Sequence, residues 1–271
     1  MACSNGHLEY NGFIVPSLLN SVAYVYESLT DLLSKDKAVS ISSTRISCMT
    51  TNMYISLYTF GETASPLVLL LLSLDRCLAM LSPKAYARLT PRAAAVCIFL
   101  VYTCSLIEVT ALWIKSRWND HISLVSSRCS HIETIGLSSY RVHVIGIIVS
   151  GIVSIIFSVT SLAVMRWRIK STRNEILRFV QMRREPTITR RIAVLVTAAF
   201  LLQVLPMTVF LIHLDGSMLA GIENFIWLPY ISSLIFNTMW CAFRQKELKL
   251  AIKRMLKIPI DHLCFCLSKV A

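Results

Sequence analysis

Apolar residues along this chain gather into six long blocks, at residues 12–33, 52–81, 92–114, 142–166, 191–213 and 219–243. Crossing the hydrocarbon of a bilayer takes about 20 residues of helix, and the second to sixth blocks meet that length. Backbone groups left unpaired in lipid are costly, so each block predicts a helix. The pattern as a whole predicts an all-α fold, a polytopic transmembrane helical bundle. The first block is the weakest. Its apolar run from Gly12 to Tyr26 carries Pro16 and Asn20 and is followed by Glu27 and Asp31. We read it as a span because the other helices pack badly without it, with a re-entrant or interfacial helix as the alternative.

Composition agrees with the pattern. The chain is 55% hydrophobic and 15% charged, with a mean hydropathy of +0.62, whereas soluble domains are about 25% charged. The net charge of +12 raises nucleic acid as a partner, but the basic residues cluster between apolar blocks, as the positive-inside rule places them. Arg166, Arg168, Lys170, Arg173, Arg178, Arg183, Arg184, Arg190 and Arg191 follow the fourth block, and Arg244, Lys246, Lys249, Lys253, Arg254 and Lys257 follow the sixth. Both stretches are expected in the cytoplasm, and six spans then put the N-terminus there too. Mid-span charge is expected at Glu108 alone, with blocks two, four and five lacking it.

Several classes of chemistry find no footing. The nine cysteines form no CxxC pair, so neither a metal nor another cofactor is expected. HExxH, GxSxG and P-loop patterns are absent, which argues against an enzyme. Internal repeats of the kind found in many transporters are absent as well. Met1 to Tyr10 lacks the basic start of a signal peptide.

The densest motif closes the second block. Asp75 and Arg76 stand at its basic-loop end, followed by Ala79, Pro83, Tyr86 and the Pro91–Arg92 pair that opens the next helix. Taken alone, two charges beside a membrane boundary can be simple anchors. Together, residues 73–92 resemble the DRY region and second intracellular loop of rhodopsin-like (class A) G-protein-coupled receptors. Cys77 stands where that motif usually has Tyr. Ser65 and Leu69 fall where the family has a sodium-site serine and a hydrophobic gate residue. Tyr58 occupies the position of the amine receptors' Asp, which disfavours a biogenic amine.

Further matches follow along the chain. Phe200 and Pro206 match the F-x-x-C-W-x-P pattern of the family's sixth helix, with Gln203 and Val204 replacing Cys and Trp. A proline inside a helix kinks it, which offers a hinge or is an incidental bend. Asn237 holds the place of the Asn of N-P-x-x-Y. Residues 243–256 resemble the short helix after the last span, with Leu248, Ala251, Ile252 and Met255 as its apolar stripe. Cys264 and Cys266 then stand where palmitoylation is suited, buried structural thiols being the alternative.

This resemblance implies a plasma-membrane receptor, divergent as invertebrate chemosensory or peptide receptors are, that passes the binding of an extracellular ligand to a heterotrimeric G protein. It implies a disulfide between Cys48 and Cys129, and a switch in which Arg76 leaves Asp75 to meet the G protein. In this alignment the first block is the family's second helix, Asn20 lies near its buried Asp, and the first helix is missing. A transporter or channel and a non-signalling truncated receptor are the competing readings.

Overall fold

A computed structural model describes residues 3–34, 43–86, 88–118, 124–125, 129, 131–171, 189–190, 192–213, 229, 232–233 and 236. Most of the sixth block, Asn237, the 243–256 stretch, Cys264, Cys266 and most of the 166–191 loop lie outside them. The described chain is organised by helices α1 (Cys3–Ser34), α2 (Arg45–Thr51), α3 (Tyr54–Leu81), α4 (Pro83–Tyr86), α5 (Pro91–Trp118), α6 (His131–Ile135), α7 (Leu137–Ser171) and α8 (Ile192–Ile212). One two-stranded antiparallel sheet, absent from the sequence reading, pairs Ser43 with Val125 and Thr44 with Leu124.

Four helices, α3, α5, α7 and α8, are long and apolar enough to cross a membrane. They correspond to blocks two to five, with boundaries within a few residues of those expected. At 1.5 Å per residue even the 21-residue α8 reaches about 30 Å, the thickness of the hydrocarbon core. The outward faces suit lipid: Phe99, Leu106 and Ile107 on α5 and Val142, Val149 and Ile156 on α7 are all exposed. Helix α1 is also long, at 32 residues, but is not one of these four.

Helix α3 is the axis of the bundle, packed along α1, α5 and α7. Small residues set the spacing, as they do where lipid supplies no hydrophobic drive between helices. A Cβ on Gly61 of α3 would stand 2.9 Å from Asn20 Cβ and 3.1 Å from Pro16 O of α1. On α7, Ser150, Ser154, Ser158 and Ser161 recur at helical spacing and are buried. Ser158 Oγ donates to Ser73 Oγ of α3 at 3.2 Å.

Two apolar clusters fill the bundle. One lies toward the Tyr54 end of α3 and gathers Tyr54, Tyr58, Tyr140, Val144, Val204, Met207 and Phe210. The other lies toward the Asp75 end and gathers Leu69, Leu72, Leu195, Val196 and Ala199. Between them α8 carries a π-helical turn over Phe200–Val204. Proline at 206 brings no N–H and its ring crowds the carbonyl four residues back, so a wider turn just before it relieves the clash. The Leu205 N–H bonds Phe200 O across that turn. The disturbance expected at Pro206 therefore takes the form of a π turn just before it. It seats Val204 so closely against α7 that a Cβ on Gly151 would stand 2.3 Å from Val204 Cγ2.

Candidate functional site

At one end of α3, Asp75 and Arg76 are joined by an ion pair, with only 11% and 12% of their side chains exposed. The chain then turns back on itself. Ser82 closes α3 by donating its N–H to Leu78 O at 2.9 Å, and Pro83 opens the short α4 at the position where a missing N–H costs nothing. That turn returns Tyr86 to the charged pair. Arg76 Nη2 donates to the Tyr86 hydroxyl at 3.0 Å, and this hydroxyl donates to Asp75 Oδ2 at 3.3 Å. The guanidinium carbon also lies 5.8 Å from the Tyr86 ring centroid. Thr90 caps α5, accepting from the Ala93 N–H at 3.4 Å with Pro91 at the first helical position. From α7, Arg168 donates to Leu81 O at 3.2 Å, so the end of that helix lies beside the same turn.

Cys48 of α2 and Cys129 are joined by a disulfide, with Cα atoms 5.4 Å apart. It fastens the segment before α6 to α2, beside the Tyr54 end of α3, and Tyr54 Oη donates to Cys129 O at 3.1 Å. The short β-pairing and this bond hold one connection against the bundle's end. Tyr58, below it, donates to Glu27 of α1, so the carboxylate that weakens the first block as a span has a partner.

Below these tyrosines lies a polar network that corrects the expectation of Glu108 as the one mid-span charge. Glu62 of α3 is 1% exposed, and His143 of α7 is buried beside it. His143 Nε2 lies 3.1 Å from Glu62 Oε2, and Nδ1 lies 2.8 Å from Glu108 Oε1 of α5. Thr63 donates to Glu108 Oε2 at 2.6 Å. Glu62 Oε1 is buried without a hydrogen-bond partner among the described residues. His131 of α6 adds a second ring, with Nε2 3.2 Å from Thr59 Oγ1. The Thr59 hydroxyl already gives its proton to Ile55 O at 3.0 Å, so it accepts from the ring, whose Nε2 carries hydrogen. Burial pushes His131 down to about 4, against the pull of Glu62, and keeps it neutral.

The structure therefore brings Asp75, Arg76 and Tyr86 together, with Pro83 shaping the turn between them, and joins Cys48 to Cys129. It puts Phe200 and Pro206 on α8, flanking the π turn. Ser65 and Leu69 are buried inside α3, and Asn20 is buried against Gly61. Glu62 and His143 were passed over in sequence although the signal was present, since an ionisable residue inside an apolar block is a functional candidate by default. Among the described residues, no group of three or more His, Cys, Asp or Glu is placed to hold a metal ion. No protein-family model matches the chain, and no curated protein matches it.

Proposed function

We propose that this chain is a rhodopsin-like G-protein-coupled receptor of the plasma membrane that converts binding of an extracellular ligand into nucleotide exchange on a heterotrimeric G protein. The reading is carried by the Asp75–Arg76–Tyr86 cluster at the end of α3. An arginine is always charged and is costly at a membrane edge unless paired. Here its partners include a neighbouring carboxylate and a tyrosine on a short turn, both of which it can leave. A guanidinium that exchanges such partners for the backbone carbonyls of an inserted helix is the two-state element that coupling needs. The disulfide at the opposite end of α3 and the π turn of α8 supply, in this reading, a fixed outer end and a helix able to swing.

The sidedness belongs to the same proposal. The basic loops put the Asp75–Arg76 end in the cytoplasm and the Cys48–Cys129 end outside. Glu62, His143 and Glu108 then face the outer half of the bundle, where a ligand is received.

A solute transporter is the second reading, favoured by one observation. Paired ionisable residues from three helices inside a bundle are a transporter's expected signature, and Glu62, His143 and Glu108 are such a set. Asp75→Asn separates the two. Losing the carboxylate loosens the hold on Arg76, and a receptor should then raise ligand-free exchange on a co-expressed G protein by several-fold at equal surface level. A variant with unchanged exchange and altered solute uptake would favour the transporter.

A further inference from the structure

His143 ties α7 to two other helices at once. Its Nδ1 faces Glu108 Oε1 at 2.8 Å and its Nε2 faces Glu62 Oε2 at 3.1 Å. Each hydrogen bond needs one proton between its two atoms, so the pair needs two. A neutral imidazole brings only one. With both carboxylates ionised, the ring holds the second; otherwise one carboxyl group does. In either case three side chains share two protons, and taking one away leaves two lone pairs facing each other across a broken bond.

We propose that the Glu62–His143–Glu108 triad is a proton-binding site whose second proton fastens α7 to both α3 and α5, and whose release on raising pH frees one of the two ties. Among the described residues, the proton is the positive charge in the network. From α3, Thr59 and Thr63 are neutral donors or acceptors, and Thr63 serves Glu108. From α6, His131 lies 6.4 Å from His143, ring to ring, and is the neutral group described above. From α7, Tyr140 lies 6.3 Å away and meets Phe210 of α8 edge-on. From α1, Glu27 accepts from Tyr58, whose ring stacks on His131 at 5.7 Å. Among the described residues, no lysine or arginine bonds the triad.

Glu62 and His143 are buried and Glu108 is partly so; the three are coupled, so their protons belong to the set rather than to one residue, and the charge-assisted bonds they form are strong. The folded bundle uses a second proton to join three helices, a need that ends when those helices separate in the bilayer. Linkage then gives the sign: stability is full while the second proton is held and falls as rising pH removes it. The inference stands on this network and not on the receptor reading.

Glu62→Gln isolates the proton from the packing. An amide there donates to His143 Nε2, so a neutral ring makes both bonds, with Nδ1–H given to Glu108. Thermal unfolding of the full chain in lipid nanodiscs is followed from neutral to alkaline pH. The wild type is expected to lose roughly 2–4 °C of Tm or more over this range, while Glu62→Gln stays flat. Glu108→Gln, the mirror change, should be flat as well and decides alone where Glu62→Gln does not fold. An alkaline loss of equal size in the wild type and the amide variants, or none in the wild type, overturns the proposal. Neither ligand nor G protein is needed, so a failed receptor reading leaves this test standing.

Discussion

Tyr86 holds Arg76 from outside the helix that carries it, accepting its Nη2 hydrogen at 3.0 Å from the far side of a turn. The same hydroxyl donates to Asp75 at 3.3 Å, so one atom latches both members of the charged pair. Tyr86→Phe removes the latch and leaves the ion pair and the ring contact. It should cost about 0.5–1.5 kcal/mol, the range for one net hydrogen bond, and raise ligand-free exchange less than Asp75→Asn does. Unfolding and exchange assays on the two variants give the order directly.

Packing predicts opposite outcomes at two glycines, one where α1 approaches α3 and one on an open face of α7. Gly61→Ala puts a Cβ 2.9 Å from Asn20 Cβ and 3.1 Å from a backbone oxygen, and overpacking of this kind costs about 1–3 kcal/mol. Gly146 in α7 has nothing within 4 Å of its Cβ position. Gly146→Ala should be neutral or stabilising by up to about 1 kcal/mol, the helix preference for Ala. Thermal unfolding of the pair checks both signs.

Much of the bundle was legible because lipid enforces a coarse rule. Blocks two to five became helices near the expected limits, since an apolar run of that length has one way to satisfy its backbone in a membrane. The Asp75–Arg76–Tyr86 grouping was legible for a different reason: its residues are close in sequence and joined by a proline-started turn. Glu62 and His143 were harder. They lie 81 residues apart, and each alone is one acidic or basic residue toward the end of an apolar block. Only the packing of α3 on α7 makes them a pair. The π turn was hidden too, because Pro206 signals a disturbed helix without saying how the ladder adjusts. The β-pairing of Ser43 and Thr44 carries no periodic pattern at two residues per strand.

His131 predicts an acid limb distinct from the alkaline one. Burial lowers it from 6.5 to about 4 in the folded protein, so the unfolded chain takes up the proton first. Stability is fully present above pH about 6.5 and is lost as pH falls toward 4, by roughly 3 kcal/mol at the lower end. His131→Phe, which keeps a ring between Tyr58 and Tyr140, should flatten the acid limb of the unfolding profile and leave the alkaline limb as it was.

Arg76→Ala tests the central claim most directly. Surface abundance and guanine-nucleotide exchange on a co-expressed heterotrimeric G protein are measured together, in the Asp75→Asn background so that exchange is raised without a ligand. If Arg76 is the G-protein contact, Arg76→Ala returns exchange to the level of cells lacking the protein while surface abundance stays near that of Asp75→Asn alone. Exchange that persists undiminished without Arg76 at equal surface abundance would contradict the mechanism.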